Sequence, residues 1–210
     1  MFCIVYSVII NVFEHPDRGG GRPRGNTAQL VDAFSQGAQE AGHKVEIISL
    51  SQHEVHGCMG CNACRYGKPC VRKDAFNTLA PKIRTTDLLV LASPLYFWTI
   101  SSALKAFIER FYCLAEEDPC PPLGRYERYP VHDVALLMTA ADNFFWTFDQ
   151  AVSYYRFAVV NYLGCRDHGT YLAGGCGDTN GRPRIAETDH LERARAFGRT
   201  ILISKKSSEL

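Results

Sequence analysis

The chain has 210 residues, 46% apolar and 21% charged, enough for one hydrophobic core under a mixed polar surface. Its formal charge of +1 offers no broad basic field, which argues against nucleic acid as a partner. The apolar start, Met1 to Phe13, has no preceding Lys or Arg and is too short and too interrupted by Ser7 and Asn11 to cross a bilayer, which argues against a membrane.

Phe2 to Phe13 is rich in β-branched residues and predicts a central first strand. Glu14 to Gly25 is a polar turn full of Gly and Arg. Asn26 or Thr27 is placed to cap a helix whose apolar stripe is Leu30, Ala33, Phe34, Gly37, Ala38 and Ala41, ending at Gly42. A glycine-rich loop entering a helix brings backbone N–H groups and the positive dipole end together. With the guanidiniums of Arg22 and Arg24, Gly25, Asn26 and the Thr27 hydroxyl, that makes an anion cradle suited to a phosphate.

His43 to Leu50 is a short second strand. Cys58, Cys61, Cys64 and Cys70 then follow in the spacing C-x₂-C-x₂-C-x₅-C. Three thiolates two residues apart can curl round one soft metal centre and a fourth closes it, as in ferredoxin-like [4Fe–4S] ligation. A Cys₄ zinc site is the second reading, although zinc sites more often split into two C-x₂-C pairs. Reduced, unligated thiols are the third. The chain has nine cysteines, and this crowding of four differs from the spread of a secreted disulfide framework, so a reducing cytoplasm is expected. Cys3, Cys113, Cys120, Cys165 and Cys176 read as scattered core or surface thiols, and His53 and His56 as loop residues.

Asp74 caps a short helix carrying Phe76, Leu79 and Ile83, with a kink expected at Pro81. Leu88 to Ala92 is apolar without alternation, as in a strand covered on both faces. Ser93 and Pro94 break it, and Leu104, Phe107, Ile108 and Phe111 define the next helix, capped by Thr99, Ser101 or Ser102. Between strand and helix stand Leu95, Tyr96, Phe97 and Trp98. The loop sits at the carboxyl end of a strand, where open α/β sheets bind ligands, and its three aromatics Tyr96, Phe97 and Trp98 suit a flat aromatic group, the other reading being rings that simply cover the sheet edge. Ala115 to Pro130 is a long proline-rich loop, read equally as a lid, an interface or a tolerated insertion.

Val134 to Met138 predicts a fourth strand, and Ala140, Ala141 and Asp142 in its exit loop would support the far side of the same ligand. The next helix is expected to bury Phe144, Phe148, Ala151, Tyr155, Val159 and Tyr162. Phe145, Trp146 and Tyr154 lie off that stripe, a surplus that suggests subunit contact in a dimer or tetramer. Cys165 to Ala173 gives a fifth strand, Gly174 to Asp178 its exit loop, and Asp189 to Ile203 a closing helix with Leu191, Ala194, Gly198 and Ile201 inward. Strands alternating with helices imply one α/β domain over residues 1–210, with a cysteine-rich loop at 57–73. Its architecture would be a flavodoxin-like three-layer sandwich around a five-stranded parallel sheet of order 2-1-3-4-5.

The run Ser93-Pro94-Leu95-Tyr96-Phe97, with Ser102 to Arg110 after it, resembles the flavin-holding loop and helix of the flavodoxin-like NADPH-dependent FMN reductase family. Arg22, Asn26 and Thr27 are similar to that family's phosphate loop, although Gly20 and Gly21 stand where it usually has Ser and Pro, and His15 to Arg18 separate loop from strand. The cysteine quartet resembles the cluster motif of iron–sulfur flavoproteins. The resemblance implies an enzyme in which FMN does the chemistry and NAD(P)H is the co-substrate. FMN would lie against Arg22, Arg24, Gly25, Asn26 and Thr27, against Ser93 to Trp98 and against Ala140 to Asp142. A [4Fe–4S] cluster on the quartet would pass electrons to a small-molecule or protein acceptor. Two other readings remain open: an FMN/iron–sulfur carrier serving a protein partner, and a zinc-stapled interaction module using Arg65, Lys68, Arg72 and Lys73.

Overall fold

The computed structural model describes residues 8–13, 25–117, 127–131, 133–177 and 184–202. Five strands form one parallel sheet: β1 (Val8–Phe13), β2 (Lys44–Ser49), β3 (Leu88–Pro94), and the two later strands here numbered β6 (Asp133–Thr139) and β7 (Arg166–Ala173). The short pair β4 (Glu116–Glu117) and β5 (Glu127–Arg128) is antiparallel and separate from it. The order β2-β1-β3-β6-β7 puts a topological switch between β1 and β3, the flavodoxin-like arrangement expected from the alternation of elements. Residues 2–7 of the expected first strand lie outside the described residues.

Alternation along β3 explains why it reads as an unbroken apolar run. Leu88, Val90 and Ala92 face one core with helices α1 (Asn26–Glu40) and α5 (His190–Thr200). Leu89 and Leu91 face a second core built by α2 (Ala75–Thr85), α3 (Ser102–Glu109) and α4 (Asp149–Tyr155). A parallel sheet needs both faces covered, and here both are. Among the described residues no helix is long and apolar enough to cross a membrane.

Helices α1 and α5 approach until backbone meets backbone. A Cβ on Gly37 would lie 1.9 Å from the Arg195 carbonyl oxygen, and one on Gly198 would lie 2.2 Å from that of Phe34. At the end of this seam, Arg195 and Arg199 both bond Glu40, and the two guanidiniums hold its carboxyl at about 2. The stripe predicted for α1 is buried except at Ala41, which is exposed, while Val31 joins the core.

Other expectations change in detail. The N-cap of α1 is Gly25 and no side chain caps it; Asn26 and Thr27 instead lie inside the first turn with their side chains engaged elsewhere. Asp74 and Ser101 do cap α2 and α3, accepting from the N–H groups of Phe76 and Leu104. The helix predicted from Phe144 begins only at Asp149, because Phe144 to Thr147 forms a turn closed by the Thr147 hydroxyl. Its last stretch, Arg156–Tyr162, widens into a π-helix, so burial runs Ala151, Tyr155, Val159 and Leu163 at intervals of four, and Tyr162 turns out to 57% exposure.

Replacing Gly37 or Gly198 with Ala forces the α1 and α5 backbones apart and should cost about 1–3 kcal/mol. Urea denaturation followed by circular dichroism checks this, a midpoint equal to the parent's being the contrary result.

Candidate functional site

Four chain segments meet at the carboxyl edge of the sheet. The Thr139 carbonyl at the end of β6 accepts from Leu95 N–H (2.7 Å), fastening the loop after β3 to the loop after β6. The Thr139 hydroxyl pairs with the Thr27 hydroxyl in the first turn of α1 at 2.7 Å, and both side chains are buried. Ala140 and Ala173 join at 2.9 Å, and Cys176 N–H returns to the Ala140 carbonyl, so the loop after β7 belongs to the same lattice. Asn26 spans this loop, donating from Nδ2 to the Cys176 carbonyl (2.7 Å) and accepting at Oδ1 from Ile185 N–H (3.1 Å). Its amide and the Thr27 hydroxyl are thus used in holding loops together. Among the described residues no side-chain cap bonds the first-turn N–H groups of α1.

The aromatic stretch has a defined shape. Ser93 is buried; its Oγ accepts from Ser101 N–H and donates to the Pro94 carbonyl, closing the loop at its base. Tyr96 and Thr99 exchange two backbone hydrogen bonds of 3.0 Å around Phe97 and Trp98, whose φ values are +47° and +59°. Two consecutive left-handed residues make a type I′ turn, normally the place of Asn and Gly. Bulky side chains there carry strain of order 1–3 kcal/mol each, a mark of positions held for a purpose. Phe97 is 93% exposed, and Trp98 stacks on Trp146 (5.9 Å between ring centres), which stacks on Phe144 (5.5 Å). Ala140 is buried, while Ala141 and Asp142 are exposed beside this wall; Gly177 packs so close that an added Cβ would fall 2.5 Å from that of Ala141. Arg22 and Arg24 lie outside the described residues. Among the predicted ligand residues that are described, Gly25 to Thr27, Ser93 to Trp98 and Ala140 to Asp142 come from loops fastened at one sheet edge.

The cysteine loop lies against α3 and the 3₁₀ turn that extends it, Arg110–Leu114. Cys58 N–H donates to Glu109 Oε2 (3.1 Å), and Arg65 Nε donates to the Tyr112 hydroxyl while its guanidinium covers that ring. Left-handed backbone at Gly60, Asn62 and Gly67 curls the segment on itself. Cys58, Cys61, Cys64 and Cys70 therefore line one recess of about 20 Å³. Cys113, which the spacing had set aside, lines it too. All five are free thiols, and burial pushes the Cys113 thiol up to about 11 and raises that of Cys64.

Beneath the recess Arg110 is 1% exposed. It donates to Asp74 Oδ2 (2.6 Å), the His56 carbonyl (3.1 Å) and Asn77 Oδ1 (3.1 Å), and lies over the Phe76 ring. Its Nε–H, and that of Arg72 on the same recess, have no partner. Burial alone would raise the Asp74 carboxyl, but the His56 N–H and the Arg110 guanidinium outweigh it and hold the group below the usual carboxylate range. His53 and His56 do not line the recess.

A donor set of thiols beside a buried cation and two unpaired N–H donors matches the chemistry of an iron–sulfur cluster, whose sulfurs are anionic acceptors. Among the described residues no three His, Cys, Asp or Glu side chains already close on a single ion, and the recess has room for about one water-sized atom.

A parallel sheet of this order, with ligand-facing loops gathered at its switch point, places the molecule among flavodoxin-like α/β proteins. The chain belongs to the NADPH-dependent FMN reductase family, whose sequence profile matches residues 19–142. It is 30% identical over 92 residues to an iron–sulfur flavoprotein of Archaeoglobus fulgidus, covering 44% of this chain and 42% of that protein. Against an iron–sulfur flavoprotein of Methanocaldococcus jannaschii it is 36% identical over 92 residues, covering 44% and 48%. The chain thus spans about half the length of these curated relatives. Its fold is shared with the NAD(P)H:quinone oxidoreductase of Methanothermobacter marburgensis (TM-score 0.70, 20% identity, 93% of this chain and 96% of that one). It is also shared with an azoreductase of Bacillus anthracis (TM-score 0.64, 17% identity, 93% and 100%).

Asp74→Asn strands the buried Arg110 charge and should cost about 3–5 kcal/mol, read as a fall in denaturation midpoint. In the parent chain the same anchor has a pH signature. A carboxyl whose pKa is depressed by folding contributes stability above its unfolded value and loses it as pH falls through the folded one. Hydrogen exchange at residues 56–58 and 74–77 should accelerate below the ordinary carboxylate range, and an unchanged profile there would show that the pair does not hold the loop.

Proposed function

We propose that the chain is an FMN-dependent oxidoreductase that draws on NAD(P)H and carries a [4Fe–4S] cluster on Cys58, Cys61, Cys64 and Cys70. The observation that carries the flavin part is the strained Tyr96 to Thr99 turn, which holds aromatic side chains out at the edge where the N-terminus of α1 and the loop of Ala140 to Asp142 also end. In this reading the phosphate is assigned to Arg22, Arg24, Gly25, Asn26 and Thr27, with the last two acting through backbone N–H because their side chains are engaged in loop contacts. Ser93 to Trp98 and Ala140 to Asp142 flank the ring. FMN bound there would accept a hydride from NAD(P)H and pass electrons on, while the cluster would supply one-electron transfer.

The protein's own task is orientation and exclusion of water. Ser93 fixes the base of the ring loop, Thr139 fixes its distance from α1, and the stack of Trp98, Trp146 and Phe144 forms a wall beside the open edge. Helix α3 begins just after the ring loop, and its far end bears the cysteine recess; its eight residues span roughly 12 Å. The acceptor is a small molecule or a protein. Exposed Phe97, Phe144 and Phe145 support a second copy of the chain packing near the site. A reading as a carrier that meets a partner reductase is favoured only by the cysteine recess; the strained aromatic turn argues for direct contact with a planar donor.

Three measurements test the proposal. Arg22→Ala should weaken FMN by about 1.5–3 kcal/mol in a fluorescence titration, the usual worth of a charge-assisted hydrogen bond. Mixed anaerobically with NADPH or NADH, the flavin-loaded protein should bleach within seconds, and Trp98→Ala should change that rate more than it changes FMN affinity. Bleaching by dithionite but by neither nucleotide would leave the carrier reading. After anaerobic reconstitution with iron and sulfide the chain should hold about four irons, and Cys61→Ser should lose them while keeping flavin.

A further inference from the structure

Cys113 stands outside the quartet's spacing, yet the fold delivers it to the same recess. It belongs to the 3₁₀ turn Arg110–Leu114, packed as a continuation of α3, and its thiol donates to the Arg110 carbonyl at 3.1 Å. Cys70 lines the same small recess, which makes the two thiols neighbours. Cys70 belongs to residues 68–73, a stretch with neither helix nor strand between the 3₁₀ turn Ala63–Tyr66 and the start of α2. One sulfur is therefore carried on a packed helical turn and the other on a segment outside helix and strand. Both are free, and the recess they share is also lined by the exposed Cys58 and Cys61.

We propose that Cys70 and Cys113 form a reversible disulfide, an oxidation site that closes the cysteine recess. With hydrogen peroxide as the two-electron oxidant, Cys70 is first oxidised to the sulfenic acid, releasing one water. The Cys113 sulfur then attacks the Cys70 sulfur, the sulfur–oxygen bond breaks, the S–S bond forms, and the hydroxyl leaves with the Cys113 proton as a second water. Two thiol hydrogens and two electrons pass to the peroxide. A thiol reductant returns both thiols. Cys70 cannot be in the disulfide and on a metal at once, so oxidation and cluster occupancy exclude one another; this consequence, unlike the disulfide itself, rests on the cluster reading proposed above.

The test treats the full chain, without added metal, with hydrogen peroxide, blocks remaining thiols by alkylation and maps peptides without reduction. The expected result is the Cys70 peptide joined to the Cys113 peptide with the loss of two hydrogen atoms, reversed by dithiothreitol and absent in both Cys113→Ser and Cys113→Ala. Recovery of Cys113 fully alkylated, or of Cys70 joined only to Cys58, Cys61 or Cys64, overturns the pairing. In parallel, reconstitution with iron and sulfide should fail after oxidation and return after reduction. If the untreated chain takes up no iron while the Cys70–Cys113 link forms, the disulfide stands and the cluster reading falls. If the oxidised chain, shown to carry the link, still loads fully with iron, the mutual exclusion is wrong.

Discussion

Thr139 is the node on which the sheet edge depends. A parallel sheet leaves its loops free to diverge, because each strand is joined to the next by a crossover and never by a hairpin. Here one residue at the end of β6 gathers them: its carbonyl takes the N–H of Leu95 and its hydroxyl meets Thr27 on α1. The hydroxyl pair is buried, where an unmade hydrogen bond is most costly, and with the Leu95 contact it sets the spacing between the start of α1 and the aromatic turn. In the proposed reading, that spacing would hold the two ends of a mononucleotide together.

A second anchor works on the other side of α3. Arg110 and Asp74 are almost wholly excluded from water, and Asn77 and the His56 carbonyl take up two more of the guanidinium's donors. A buried ion pair of this kind adds little net stability over apolar packing, yet losing one partner is severe. It specifies position. The pair ties the start of α2 to the end of α3, and the cysteine loop, caught between them, is laid along the helix that follows the aromatic turn. The two parts of the molecule with particular chemistry thereby share one structural element.

Much of this was legible beforehand. The unbroken apolar run of β3, the Asp74 and Ser101 caps and the alternation of strands with helices give the parallel sheet and its order, because burial on two faces leaves few other topologies. The clustering of three aromatics after a strand also marked the sheet edge at which the loops are fastened together. The local errors share one cause, that tertiary contact overrode propensity. Asn26 and Thr27 look like caps, but the loop after β7 and the end of β6 compete for their side chains and win. Tyr162 fits a regular helical stripe, but the π-helical turn moves the buried position to Leu163.

The sequence by itself determined the layered α/β architecture and the grouping of four thiols, since each depends on periodicity or spacing within a short stretch of chain, and its loop motifs carry the resemblance to the family whose profile it matches. Only the tertiary structure decided that Phe97 and Trp98 take left-handed conformations, that a buried guanidinium lies under the thiols, and that Cys113 is a fifth member of their recess. The reason is physical: Cys113 and Cys70 are brought together by the packing of α3 and its extension against the loop before α2. Such a contact is set by how whole elements dock, and leaves no periodic trace in the residues themselves.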